Sequence, residues 1–463
     1  MKQLRYQASL AVLIVLIIVT VGVQGWTVAL SVLTVGLISG VMALGLNIQW
    51  GYAGQFNAGV MGFSAIGAIA CVLVSMPWVT ATMQNGLETL SQAPDGYEQT
   101  ISMLKHDIPR RLTAEKNIGI AWLLGAASAI AAWALNRTLR HRVRTIWRVI
   151  LVLVVLIIGL ALFRGRFDSA IRIIESTGYG DNSKYLGGMQ LPILFAWFIG
   201  GCLAAIAAWM IGKIALGLRS DYLAIATLGI SEIVIALLKN EGWLTRGVLN
   251  VTGLPSPVPA VKALQVAPYS LDVKTSLIVN KLAFLGLVVM LTVLFLWLAH
   301  RAWHSPWGRM MRAIRDNEEA AAAMGKDVVF RHRQVFIFGS FFLGVGGAML
   351  ATLVLQFEPA GYQPLRFTFL IWVMVIVGGS GNNIGSIVGG LLIWFLWVQA
   401  EPAASWLFYV LGTIVLPENS ALAGTLLERA PQMRTLVMGL VLLIVLRFAP
   451  GGLLPESLQR RLK

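Results

Sequence analysis

The sequence predicts an all-α polytopic integral membrane protein with about 10–12 transmembrane helices and both termini cytoplasmic, and three observations carry that prediction. Hydrophobic residues make up 57% of the 463 and charged residues only 12%, against about 25% charged in soluble domains. Too few polar side chains remain to cover a soluble fold of this length. The apolar residues gather in a dozen runs, most of them near the roughly 17 to 25 residues that cross a bilayer. Finally, 36 Lys and Arg stand against 21 Asp and Glu, a net charge of +15, and the excess falls in alternate connections. That is how cytoplasmic loops are marked, so the basic balance calls for a lipid bilayer and for no nucleic acid.

In chain order, Lys2 and Arg5 precede an apolar run from Ala8 to Val23. No small-x-small cleavage site follows it, and a second run begins near Trp26, so the first reads as an uncleaved span. The candidate crossings are 8–25, 27–47, 55–76, 118–136, 147–163, 191–212, 222–238, 279–300, 334–355, 367–379, 384–399 and 433–448. Crossing at each from a cytoplasmic start places Arg137, Arg140, Arg142, Arg144 and Arg148 on that side. Lys213, Arg219, the segment 301–333, Arg460, Arg461 and Lys463 join them. The opposite side receives 77–117 and 239–278, which are longer and mixed in charge. In 77–117, Asp95, Glu98, Asp107 and Glu115 face Lys105, Arg110, Arg111 and Lys116, which reads as a short ordered external element.

Little in the chain suggests covalent chemistry. No phosphate-binding Gly-rich loop, nucleophile elbow or zinc spacing occurs. His106, His141, His300 and His304 fall in or beside loops, and His332 lies among arginines before a span. Cys71 and Cys202 sit alone in apolar runs, so neither a disulfide nor a metal site is expected. An enzyme is therefore not expected, and no cofactor is expected on this chain.

Four segments stand out instead. Asn47 to Asn57 puts amides and glycines at membrane depth, where the backbone must be buried in protein or line a cavity. Glu232 falls mid-span, either to bind a substrate ammonium or to stabilise a helix pair, while Asp221 is placed as the N-cap of that helix. Gly378 to Asn383 breaks two apolar runs, as in an interrupted transporter helix or a tight helix hairpin. In the loop from Ser305, Asn317 can cap a short Ala-rich helix that carries Glu318 and Glu319 in its first turn and stops at Gly325. Such a helix either docks on another protein or is a solvated connector.

Taken together, these segments resemble the permease subunits of bacterial ABC importers for branched-chain amino acids, in particular the M-type member of the permease pair. The matching stretches are Gly51 to Gly59, Arg219 to Ile233, Ser305 to Gly325, and Gly378 to Asn382 with Arg447 to Leu453 near the end. The resemblance implies one transmembrane permease domain over 1–463, in a bacterial inner membrane, with an inserted hairpin and external segment at about 80–190. It also implies a cytoplasmic coupling loop at 301–333. The implied partners are a second permease subunit, cytoplasmic ATPase subunits that bind ATP and magnesium, and a periplasmic substrate-binding protein. Coupling to the ATPase would fall to Arg309, Arg312, Arg315, Asp316, Asn317, Glu318, Glu319, Ala320 and Gly325. A translocation path would involve Asn47, Gln55, Asn57, Asp221, Thr227, Glu232, Ser380 and Asn382. The chain departs from the family at Arg246 and Asn250, where members often have glycine, which leaves urea, short amides or other amino acids open as substrates. A self-sufficient channel or secondary transporter is the reading from a different class, with Glu232 as its relay.

Overall fold

A computed structural model describes residues 2–93, 96–139, 145–177, 181–217, 220–266, 269–414 and 421–456. Asp95, Arg140, His141, Arg142, Arg144, Arg219, Arg460, Arg461 and Lys463 lie outside the described residues, as do the side chains of Lys2 and Arg5. The fold is all-α and polytopic. Among the described residues, nine helices are long and apolar enough to cross a membrane, and the apolar stretches Ala11–Gln24, Val60–Ser75 and Pro364–Gly378 are shorter.

The chain divides into two compact units, the first comprising Met1–Val74, Leu191–Ala236 and Gly253–Lys463. It begins with α1 (Lys2–Gln24), α2 (Trp26–Ala53) and α3 (Val60–Ser75), and resumes at α7 (Ile193–Ala215) and α8 (Ser220–Asn240) after the helices α4 to α6 of the second unit. The second unit also holds α9. The rest of the first unit is α10 (Val261–Gln265), α11 (Val273–His304), α12 (Pro306–Asp316), α13 (Glu318–Ala323), α14 (Val328–Val354), α15 (Pro364–Gly378), α16 (Asn383–Ile414), α17 (Ala421–Glu428) and α18 (Met433–Phe448). The most apolar stretches of α2 and α14 are 72% and 67% buried, against 6% for α18, so the first two form the core and the last packs at its edge with an exposed apolar surface.

Glycine makes that core possible, because it lets backbones touch. A Cβ on Gly67 of α3 would lie 1.9 Å from the carbonyl oxygen of Gly344 on α14. One on Gly344 would lie 2.6 Å from the Gly200 carbonyl of α7, and one on Gly200 would lie 2.6 Å from the Gly67 carbonyl. Three helices therefore meet in a closed ring of main chain. Around α14, Phe295, Phe338, Phe341 and Phe342 fill the wider gaps, with Phe295 and Phe342 centred 4.5 Å apart.

The second unit, Ser75–Gln190 with Leu237–Thr252, contains α4 (Val79–Ser91), α5 (Glu98–Thr138), α6 (Thr145–Ser176) and the short α9 (Gly242–Thr245). Of the element expected over 77–117, residues 79–91 and 98–117 are helical. Its second half runs unbroken into the crossing expected at 118–136, giving a 41-residue helix through Pro109. Opposite charges one turn apart favour that continuation, as in Arg111 Nε donating to Glu115 Oε1 at 3.2 Å. Arg111 is fully buried and also donates to the carbonyls of Ser183 and Tyr185, and Thr80 donates to Glu115 at 2.6 Å. Ala114 and Ile118 of α5, Ala170 and Ile174 of α6, and Trp243 of α9 form the apolar core beside it. The remaining face of α6 is almost wholly exposed and apolar, 6% buried over its hydrophobic stretch, as a lipid-facing helix requires.

Candidate functional site

The polar residues at the end of α2 are consumed by the protein itself. Asn47 is buried; its Nδ2 donates to Asn383 Oδ1 at 3.2 Å and its Oδ1 accepts from the Gly381 amide at 2.8 Å. Tyr52 donates from the hydroxyl to the same Asn383 oxygen at 2.8 Å. One turn away, Gln49 Nε2 reaches the Phe336 carbonyl and Ser340 Oγ at 3.0 and 3.1 Å, and its Oε1 accepts from Asn57 at 2.8 Å. This ties α2 to both α14 and α16.

The helix α2 runs further than expected, to Ala53, and only residues 54–59 are irregular before α3 begins at Val60. Gly54 ends it in the left-handed region at φ 70°. The Asn57 side chain folds back on the Gly59 amide at 2.8 Å, and Trp372 Nε1 holds the Asn57 carbonyl at 3.0 Å. Trp372 also stacks on Phe56, centroids 4.1 Å apart. Thr227 Oγ1 on α8 accepts from the Ala58 amide at 3.0 Å. Gln55 is buried, yet among the described residues neither of its side-chain polar atoms has a partner.

Of the remaining path residues, Glu232 is exposed on α8. Asp221 is exposed in the first turn, inside a helix that starts at Ser220, so it is not the N-cap. Ser380 and Asn382 lie in the turn between α15 and α16, where Asn382 Oδ1 accepts from the amides of Ile384 and Gly385 and so caps α16. Asn47, Asn57 and Thr227 thus gather with Gln49, Tyr52 and Asn383, which sequence reasoning did not single out as site residues. Asp221 and Glu232 stand apart from them.

A cavity of about 310 Å³ opens among α2, α3, α14, α15 and α16. Met42, Met61, Leu350, Leu370, Met374 and Trp394 give it an apolar wall. Gln356 and Glu358, in the connector after α14, add the polar part of its lining, with Gln356 Nε2 3.4 Å from Glu358 Oε2. No local pattern marks these residues in the sequence, because they come from five helices and a connector.

At the other end of α14 lies the loop 301–333. Ser305 caps α12, accepting from the Gly308 amide at 3.2 Å, and α12 buries Met311 and Ile314. Arg312 lies over Trp303, 4.2 Å from its ring, and Trp303 packs on Tyr52 at 4.5 Å. Arg309 is exposed and holds the His304 carbonyl at 3.2 Å. Asn317 caps α13 by accepting from the Ala320 amide at 2.9 Å, and Gly325 ends the turn at φ 75°. Of α13 only Ala321 is buried; Asp316, Glu318, Glu319 and Ala320 face outward, with Met324 79% exposed beyond them. α13 is thus a capped helix with two carboxylates at one end, small residues along it and an exposed methionine beyond it.

The family described as branched-chain amino acid transport system, permease component, matches residues 28–446. The probable branched-chain amino acid transport permease protein LivM of Methanocaldococcus jannaschii is 24% identical over 272 residues, 59% of this chain and 70% of its own. The high-affinity branched-chain amino acid transport system permease protein LivM of Escherichia coli K12 is 29% identical over 206 residues, and that of Salmonella typhimurium LT2 is 28% identical. Against these last two the alignment covers 42% of this chain and 48% of theirs, about half the length of each relative. No solved structure is significantly similar to the chain.

Proposed function

The chain belongs to the permease component family of branched-chain amino acid transport systems, and on that premise we propose that it is the M-type transmembrane subunit of an ABC importer in a bacterial inner membrane. It forms half of the translocation path with a second permease, docks α13 on a cytoplasmic ATPase, and receives substrate from a periplasmic binding protein. ATP and magnesium are bound by the ATPase chains. The observation that carries this reading is α13 itself, a capped helix held outside the apolar spans with nearly all its surface exposed.

The cavity supports the choice of substrate. Its apolar wall suits an aliphatic side chain, and Glu358 offers a carboxylate to an ammonium group. Urea or a short amide would leave that wall uncovered. In the transport cycle, closure of the ATPase pair on ATP moves the docked α13. The 27 residues of α14, at 1.5 Å each, set it about 40 Å from the end that bears Gln356 and Glu358. Alternating access then requires the packed helices between the two ends to shift as bodies.

The test is recovery of the tagged chain from its native membrane in mild detergent, followed by reconstitution in proteoliposomes. A second permease and ATPase chains should accompany it, and leucine uptake should require ATP and binding protein. Uptake by the chain alone would replace this reading with that of a self-sufficient transporter. ATP-dependent uptake of urea in preference to leucine would keep the class and overturn the substrate.

A further inference from the structure

We propose that Arg315 is a positioning residue for transport, which with Glu456 carries displacement of α13 into the α15–α16 turn; this rests on the reading of α13 as the docking helix. Arg315 lies in the last turn of α12, two residues before Asn317, the cap of α13, so displacement of α13 bears on the backbone that carries its guanidinium. Its Nη1 donates to the Gly51 carbonyl at the end of α2 and to Glu456 Oε2 at 3.1 Å, while Nε reaches Asp316 at 3.3 Å. The Glu456 side chain is 4% exposed and that of Arg315 23%. A side chain buried to that degree depends on partners inside the protein, and Arg315 is the ion-pair partner of Glu456.

The backbone is cut to fit this pair. A Cβ on Gly381 would lie 2.7 Å from Glu456 Oε2 and 3.5 Å from Arg315 Nη1. One on Gly51 would lie 2.6 Å from the Gly381 amide. Three pieces of chain that are remote in sequence therefore meet at one guanidinium. The segment carrying Glu456 is in turn laced to α15 and the turn: the amides of Leu453 and Leu454 donate to the carbonyls of Val377 and Gly378 at 2.8 and 3.1 Å. Asn382 Nδ2 donates to the Leu454 carbonyl at 3.0 Å. Both α2 and α15 line the cavity, through Met42 and Met374. The contact path from α13 to the cavity is thus Arg315, Glu456, the α15–α16 turn and α15, with a parallel branch through Gly51.

Glu456 Oε1 is buried and, among the described residues, accepts no hydrogen bond. A guanidinium displaced with α12 has a second oxygen of the same carboxylate to bind, so the pair has two stations.

The experiment uses the whole importer in proteoliposomes and reads solute moved per ATP hydrolysed, a ratio that misfolding leaves unchanged because it lowers both terms together. Arg315→Gln should leave ATPase chains bound and ATP hydrolysis present while lowering the ratio about tenfold. Arg315→Lys should recover a part of it, and Glu456→Gln should lower it by about threefold or more. The double variant should be no worse than Arg315→Gln, because the two side chains act as one element. A ratio within about twofold of the parent in both single variants would overturn the proposal, as would loss of the ATPase chains from Arg315→Gln, which would make Arg315 a docking residue. Absence of ATPase chains from the unaltered complex would instead refute the reading of α13.

Discussion

The ring of main-chain contacts among α3, α7 and α14 makes Gly67→Ala a demanding test of the packing. In an exposed helix the change would stabilise, because alanine is the better helix former by about 1 kcal/mol. Here the new Cβ would lie 1.9 Å from the Gly344 carbonyl oxygen and 2.4 Å from its carbon. An ordinary carbon to oxygen contact starts near 3.3 Å, so α3 and α14 must part by about 1.4 Å. The obstruction is backbone, which has no rotamer to escape to, so the cost belongs at the upper end of overpacking, about 3 kcal/mol. The steric term wins, and the net loss is about 2 kcal/mol. Gly286→Ala on α11 is the control, since no atom lies within 4 Å of its Cβ position. Thermal melting of both variants in the same detergent, followed by fluorescence-detected size exclusion, should place Gly67→Ala about 2 °C below the parent and Gly286→Ala at or above it. Melting points of the two variants within about 1 °C of each other would refute the reasoning.

Other perturbations address the site. Glu318→Lys with Glu319→Lys should leave the chain inserted but weaken ATPase recovery and abolish uptake; unchanged co-purification would remove α13 from the interface. Replacing Glu358 by Gln should raise the leucine concentration needed for half-maximal uptake by about tenfold while sparing ATPase assembly, and an unaltered concentration dependence would exclude Glu358 from the path. Asn383→Ala strips the acceptor from the buried Asn47 Nδ2, while the Tyr52 hydroxyl keeps the Ala299 carbonyl at 3.0 Å, and should destabilise by about 1 to 3 kcal/mol; a melting point equal to the parent's would show that another acceptor takes over.

How much of this was legible in the sequence depends on the range of each interaction. The spans follow from a bilayer's thickness, and Asn317 and Gly325 delimit α13 through contacts within one turn, so both could be read locally. The segment 77–117 reads in sequence as a short ordered element, but that its second half is helix continuous with the next span shows only in the structure, where opposite charges pair one turn apart. Asn47 and Asn383 are 336 residues apart, and Arg315 and Glu456 are 141 apart. No periodicity links such positions. The glycines signalled close packing by their number alone, and which backbones they bring together emerges only from the fold. The cavity was least legible of all, since its lining is an accident of five helices meeting.

The two-piece composition of the second unit has a consequence for synthesis. Its first piece ends at Gln190 and its second begins at Leu237, so 46 residues must be made between them. Trp243 follows the end of α6 at Ser176 by 67 residues, so at a ribosomal rate of about 5 to 20 residues per second α5 and α6 wait roughly 3 to 13 s for it. Through that interval the face of Ala114, Ile118, Ala170 and Ile174 lacks its covering indole. The hairpin must therefore persist in the translocon or in lipid as an unfinished piece, shielded by whatever apolar surface is at hand. A truncation that stops the chain just after Gln190 should expose that face permanently and send the product to the membrane's quality-control proteases.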